Sequence, residues 1–366
     1  MAETVIHPEK VHRWMTQLWL RAGSGEREAR LTADHLVGAN LAGHDSHGIG
    51  MAPRYVKSWK VGELQLNREV SVDVDNGALI TVDARHGMGQ SVTWQAMELA
   101  IARAREHGVC VMGLKNSHHL GRVGHWAEQA IAAGMASVHF TNAVAAVPMV
   151  APHGGGVARF LTNPFTVGIP RPGGEPFVLD FATSAIAHGK VRVAWNKKKS
   201  DPTVQVPEGC LIDAMGRPTR DPNVMFEPPE GPHGALQTAA AHKGYALAMV
   251  CELLGAALTG GETAQPANRT MKHAVWNNML VIVFDPERIG AAERFAQEAR
   301  AFVEWVEAAP MSGATDRIMM PGDPERRARA ERAQGMPVDL GTLADLDAAA
   351  QAIDPSLPAL SSLARH

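Results

Sequence analysis

Apolar positions recur at helical spacing near the start of the chain. Val11, Trp14, Met15, Leu18 and Trp19 line one side of a predicted helix, and Arg21-Ala-Gly-Ser-Gly25 breaks the pattern. A second helix is predicted from about Glu28 to Ala42, with Leu31, His35/Leu36 and Ala39 on one side. A polar turn, His44-Asp-Ser-His-Gly48, follows, and Arg54 to Lys60 reads as a short helix stopped near Gly62. From Val70 the period changes. Val70–Val74 and Ala78–Asp83 read as strands, Gln90–Glu106 as a helix ended by Gly108, and Val109–Leu114 as a buried strand. Trp126–Ala133 is a predicted helix and Ala136–Phe140 a strand; Phe177–Asp180 and Leu280–Phe284 are further strands. Tyr245–Gly261, Ala291–Val306 and Leu343–Ile353 read as helical, and Lys197-Lys-Lys199 and Glu227–Pro232 as surface loops.

Strands alternating with helices predict an α/β protein with a largely parallel or mixed sheet. Helical ends flanking an α/β middle predict a discontinuous helical domain built from both termini. The expected division is residues 1–75 as an N-terminal helical part, 76–290 as the α/β core that binds cofactor and substrate, and 291–366 as a helical part returning to the first.

Composition narrows the function classes. Apolar residues make up 45% and charged residues 20% of 366 residues, an ordinary globular balance that needs no disulfides or structural metal to hold a core. A net charge of −3 offers no basic field for nucleic acid or an anionic membrane. The cysteines, Cys110, Cys210 and Cys251, lie in apolar or turn contexts that suit reduced thiols. Met1–Trp14 has no apolar segment of signal-peptide type, and Tyr245–Gly261 is interrupted by Glu252 and too short to span a bilayer. A soluble cytoplasmic protein is expected, with neither a nucleic-acid nor a membrane partner.

Two glycine motifs invite a nucleotide-binding reading. Gly87-Met-Gly89 follows a strand and opens a helix, but Val92 stands where a dinucleotide fingerprint needs its third glycine. The next strand leads into Lys115-Asn116 and not into an acidic residue that could hold a ribose, so a glycine-rich helix cap is favoured. Gly189-Lys190 lacks both the first glycine and the hydroxyl of a phosphate loop, with Ser184 and Val191 in their places.

The densest chemistry is in His44-Asp45-Ser46-His47. Two histidines three apart could ligate a metal, as could His118, His119 and His125, but no carboxylate or cysteine set stands at metal spacing. Asp45 or Ser46 could simply cap the following segment. The functional alternative is a proton carrier, because imidazole titrates nearest neutral pH, and Asp180 at the end of a strand is a candidate to orient it. Asn116-Ser-His-His-Leu-Gly121, Thr162-Asn-Pro164 and His242-Lys-Gly-Tyr245 are further polar turns; alone each reads as a turn or cap, but together they suggest one site.

The stretches HDSHGIG (44–50), NSHHLG (116–121), TNPF (162–165), LDFATSAIAHGKV (179–191), HKGYALAM (242–249), PGDPERR (321–327) and GMPVD (335–339) resemble the malate/L-lactate dehydrogenase family that lacks a Rossmann fold. Their order and spacing carry the resemblance over nearly the whole chain. It implies the family's own mixed-sheet α/β core with a helical domain from both termini, a homodimer, and NAD as cofactor with NADP as the alternative. It also implies a hydride transfer between the nicotinamide and a small 2-oxo or 2-hydroxy acid. Carried over by position, His47 matches the proton donor, Ser46 and Asp180 its partners, and His119 a second histidine in the substrate pocket. Thr141 and Asn142, the run Val178, Leu179, Asp180, Phe181, Ala182, Thr183 and Ser184, then His242, Lys243, Gly322 and Asp323 match cofactor positions.

One departure concerns the substrate. Many members carry an arginine where this chain has Met51, so Arg54, Arg122 or His119 must supply the carboxylate contact. A methionine there also suggests a more apolar pocket, suited to substrates with a larger tail such as aryl pyruvates. The alternatives are an imino-acid reductase on the same frame, a metal-dependent hydrolase built on the histidines, and a non-catalytic ligand-binding protein.

Overall fold

The computed structural model describes residues 3–290, 292–313 and 317–364. The predicted helices near the start form as α1 (Pro8–Ala22) and α2 (Glu26–Leu41), followed by α3 (Ala52–Lys60). The α1 stripe is buried where the spacing placed it: Val11, Met15, Leu18 and Trp19 are fully inaccessible. A short strand β1 (Glu3–Ile6) precedes α1 and pairs antiparallel with β12 (Met336–Asp339), which leads into α10 (Leu340–Ile353). Residues from Ile6 to Met88 and from Met336 to Leu360 therefore share one apolar core. Each large side chain removed from water there contributes roughly 1.5–3 kcal/mol.

The second core surrounds a seven-stranded sheet. In chain order its strands are β2 (Ser71–Asn76), β3 (Leu79–Asp83), β4 (Val109–His118), β5 (Ala136–Val144), β6 (Pro164–Ile169), β7 (Phe177–Ala182) and β11 (Trp276–Phe284). In space the order is β2-β3-β4-β11-β5-β6-β7. Only β3 and β4 run parallel, joined by the crossover helix α4 (Gly89–His107); every other pair is antiparallel. This mixed sheet is not a doubly wound Rossmann unit. Helix α5 (Gly124–Ala132) covers β5 and β6 and leaves β7 as an edge strand.

Several elements depart from the sequence reading. Strand β4 continues past Leu114 to His118, because Ser117 and His118 pair with Asn277 and Trp276 of β11. The lysines expected in a loop partly close a helix, α6 (His188–Lys198). A three-stranded sheet of β8 (Leu211–Ile212), β9 (Pro218–Thr219) and β10 (Ala235–Leu236) follows it. The run from Tyr245 divides into α7 (His242–Val250) and a π-helical stretch, Cys251–Ala257. Helix α8 (Ala292–Glu307) forms as predicted except that Ala291 lies outside the described residues, and α9 (Asp323–Arg332) was not foreseen. Among the described residues no helix is long and apolar enough to cross a membrane.

Candidate active site

Two histidine-bearing turns meet where the helical core adjoins the sheet. Asp45–His47 is a single 3₁₀ turn between α2 and α3, and His119 follows directly on β4. The His47 and His119 rings stack with centroids 5.6 Å apart and planes 16° from parallel. Each is half-buried. His118, beside it in sequence, is 1% exposed and meets Tyr55 edge-on at 5.0 Å. The adjacent pair thus divides into a packed histidine and one that faces the site.

His47 Nδ1 lies 3.0 Å from Ser46 Oγ. This leaves Nε2 as the nitrogen for a substrate. The expected direct contact from Asp180 is replaced by another arrangement. Its two carboxylate oxygens accept from the Gly124 N–H at 2.7 Å and the Thr166 hydroxyl at 2.8 Å. Asp180 therefore acts on His47 through space. Burial pushes the His47 pKa down to about 4, opposed by the charge of Asp180 and assisted by His44 and Arg122. At neutral pH the imidazole is uncharged and able to accept a proton.

The state of His119 follows from its partners. Gln90 Nε2 donates to the Tyr55 phenol oxygen at 3.2 Å, and that phenol lies 2.7 Å from His119 Nδ1. Burial pushes the Tyr55 pKa well above the usual phenol range, so the phenol keeps its proton and donates it to Nδ1. His119 Nε2 must then carry the ring hydrogen, ready to donate. Burial and the neighbouring His47 hold His119 well below the usual histidine range, so it remains neutral. Neither Tyr55 nor Gln90 was legible as a site residue, since Tyr55 sits at an apolar helical position and Gln90 opens a helix.

Gly89 explains the glycine motif that resembled a nucleotide fingerprint. A Cβ there would stand 2.1 Å from the His119 carbonyl oxygen and 2.6 Å from that of His118. The first turn of α4 is pressed against the backbone of the histidine pair, so the glycine serves that approach.

The cations expected to hold a carboxylate differ in access. Arg122 has a side chain 3% exposed and is paired with Glu128, behind the site beside Gly124. Its Nε and Nη1 are buried without a hydrogen-bond partner, and its charge acts on His47. Arg54 gives Nε to the His273 carbonyl at 2.6 Å and Nη2 to that of Ala274 at 3.4 Å. Its charge acts on His118 and His119, and Arg192 of α6 acts in turn on Arg54 and His188. Arg192 was missed because α6 was not foreseen. Met51 is half-buried and packs against the helical core.

The two principal cofactor stretches come together. The Ala239 N–H donates to the Thr183 carbonyl at 2.8 Å, and a Cβ on Gly244 would lie 2.2 Å from the Ala239 and 2.9 Å from the Thr183 carbonyl oxygen. The start of α7, with exposed His242 and Lys243, is thereby set against the end of β7. Ala240 and Ala241 before it hold left-handed φ of 48° and 54°. At the other end of β7, the Val178 N–H donates to the Pro321 carbonyl at 3.4 Å, which brings in Gly322 and Asp323. These features fit a dinucleotide: the edge of the sheet at Leu179–Ala182, a helix start with a lysine for phosphate, and the buried, unpartnered Thr141 hydroxyl. Thr183 and Ser184 are buried with their hydroxyls on the Thr162 and Ile186 carbonyls, so their backbone is what they can offer. Asn142 does not fit a cofactor contact. It is fully buried, donating to Glu252 and the Glu262 carbonyl and accepting from Asn278. It braces β5 against β11 and the π-helical stretch. Among the described residues no group of three or more His, Cys, Asp or Glu is arranged to hold a metal ion.

Comparison with known proteins agrees with this architecture. Hydroxycarboxylate dehydrogenase B of Escherichia coli K12 is 49% identical over 336 residues, covering 91% of this chain and 90% of the relative. The solved sulfolactate dehydrogenase of Methanocaldococcus jannaschii superposes with a TM-score of 0.84 at 29% identity, covering 95% of this chain and 97% of its own. The solved Δ1-piperideine-2-carboxylate reductase of Pseudomonas syringae gives 0.80 at 30% identity, covering 94% and 99%. The sequence profile of malate/L-lactate dehydrogenases matches residues 6–347, and the chain belongs to that family, as a 2-hydroxycarboxylate dehydrogenase.

Proposed function

We propose that the protein interconverts a small 2-oxo acid and its 2-hydroxy acid with NADH, His47 being the general acid/base. The observation that carries this reading is the stacked His47–His119 pair, with one ring free to exchange a proton and the other fixed as a donor. A bound nicotinamide would supply or accept the hydride. The edge of β7 from Val178 to Ser184, Thr141, His242, Lys243, Gly322 and Asp323 would hold it. His47 Nε2 takes the proton of the substrate hydroxyl in oxidation and returns it to the oxygen in reduction. Asp180 stabilises the imidazolium through space, and Ser46 holds Nδ1. His119 Nε2–H donates to the substrate oxygen, and Arg54 with Arg192 attracts the carboxylate. NADH is favoured over NADPH because the two arginines beside Asp323, Arg317 and Arg326, are already paired with that carboxylate.

A second reading, reduction of a cyclic imine carboxylate, is favoured by the likeness to the Δ1-piperideine-2-carboxylate reductase. One assay separates them: nicotinamide absorbance with pyruvate, oxaloacetate, phenylpyruvate and Δ1-piperideine-2-carboxylate, each with NADH and NADPH. Turnover of a 2-oxo acid with NADH is expected. Turnover of the imine alone would shift the assignment, and preference for NADPH would overturn the cofactor. We also propose a cytoplasmic homodimer, which a monomer mass by sedimentation would refute.

A further inference from the structure

No residue of α9 is fully buried, yet the helix touches the elements on which the site depends. Its Glu325 Oε1 lies 2.8 Å from His44 Nε2. Its Arg332 grips Asp45 with both terminal nitrogens, Nη1 to Oδ1 at 2.7 Å and Nη2 to Oδ2 at 3.2 Å, and donates to the Asn40 carbonyl. Between these, Arg329 donates to Glu128 at 2.6 Å, the carboxylate that also holds Arg122. Next to Glu325, Arg326 donates to the Pro176 carbonyl at 2.9 Å, just before β7.

The turn that these side chains grip cannot hold itself. Asp45–His47 has no buried residue and no side-chain cap, and its backbone offers single-turn bonds such as His47 N–H to the His44 carbonyl at 2.9 Å. One anchor comes from its own side, where Asn40 Nδ2 donates to Asp45 Oδ1 at 2.6 Å. Gly189 of α6 packs closely on Ser46, and the charged anchors come from α9. A charged fork on Asp45 and a carboxylate on His44 fix the two residues that precede Ser46-His47, and two-pronged pairing sets orientation as well as distance.

We propose that Arg332 and Glu325 are positioning residues for His47, acting through Asp45 and His44 and never touching substrate. The inference rests on His47 being the acid/base group. Displacement of a proton carrier by about an ångström costs up to roughly 10²-fold in rate, so loss of one anchor of several should cost about tenfold.

The test uses full-length Arg332→Ala, Arg332→Lys and Asp45→Asn. The readouts are kcat, cofactor KM, the thermal midpoint, and the rate at which diethyl pyrocarbonate acylates His47, followed by peptide mass spectrometry. Arg332→Ala should lower kcat about tenfold with cofactor KM within about twofold, and should speed His47 acylation. Arg332→Lys should recover part of both losses, which a purely structural role would not require. If Arg332→Ala does not fold, the Arg332→Lys and Asp45→Asn proteins decide the matter by the same readouts. Unchanged kcat together with unchanged acylation would overturn the proposal. Should the wild type turn over no substrate while acylation still rises in the variants, the positioning stands and the assigned reaction fails.

Discussion

The turn carrying His47 and the turn carrying His119 face each other across the site, but different forces hold them. The first has no buried side chain and is fastened by the Arg332–Asp45 ion pair and the His44–Glu325 hydrogen bond from α9 and by a hydrogen bond from Asn40. The second runs out of the β4–β11 ladder, with Ser117 and His118 essentially inaccessible and the start of α4 pressed on its backbone. The proposed proton carrier, His47, must meet solvent and substrate, and its turn is polar. The proposed fixed donor, His119, needs a single tautomer, and its turn is packed with its far nitrogen against a buried phenol.

The sharpest way to break this contrast is to exchange the histidines. His47→Gln should lower kcat by roughly 10²–10⁴ at saturating cofactor while cofactor still binds. His44→Gln, which loses only the Glu325 contact, should cost far less. Near-normal turnover in His47→Gln with an inactive His44→Gln would reverse the assignment. Within the packed turn the test is the tautomer. Tyr55→Phe removes the donor to His119 Nδ1 and should reduce kcat/KM about tenfold, the scale of one hydrogen bond to a polar partner. An unchanged kcat/KM would show that the His119 proton is set by another group.

The smallest effect expected is a change of pH profile. The lowered pKa of His47 leaves the free enzyme in its base form above about pH 4. For oxidation, kcat/KM should hold from neutral pH down toward that value and fall below it, as the imidazole becomes protonated. For reduction it should decline as pH rises, because the acid form becomes scarce. Oxidation that weakens already between pH 8 and pH 6, the range of an ordinary histidine, would contradict the burial of this ring.

What could be read from sequence follows the same division. The apolar period placed α1, α2 and α4 within a few residues, and the tetrapeptide at 44–47 announced its own chemistry. Helices α6 and α9 escaped because their faces are polar or charged, which leaves a 3.6-residue apolar period too weak to see. Strand β6 was hidden behind Pro164, which reads as part of a turn. Tyr55 looked like core and is core, and only its hydroxyl belongs to the site. Asp180 lies at the expected strand end, but which hydrogens it accepts depended on Gly124 and Thr166, far from it in sequence.

The exposed packing of α9 also bears on how the protein fails when warmed. A helix with no buried residue can leave its seat without opening an apolar core, and screened ion pairs of this kind each hold on the order of 0–1 kcal/mol. Its local opening is therefore among the least costly in the molecule, far below global unfolding. Amide hydrogens along 323–332 should exchange early, well before those of β4 and β11. Catalysis should then fade on heating while the sheet and the helical core remain folded, so inactivation should precede melting.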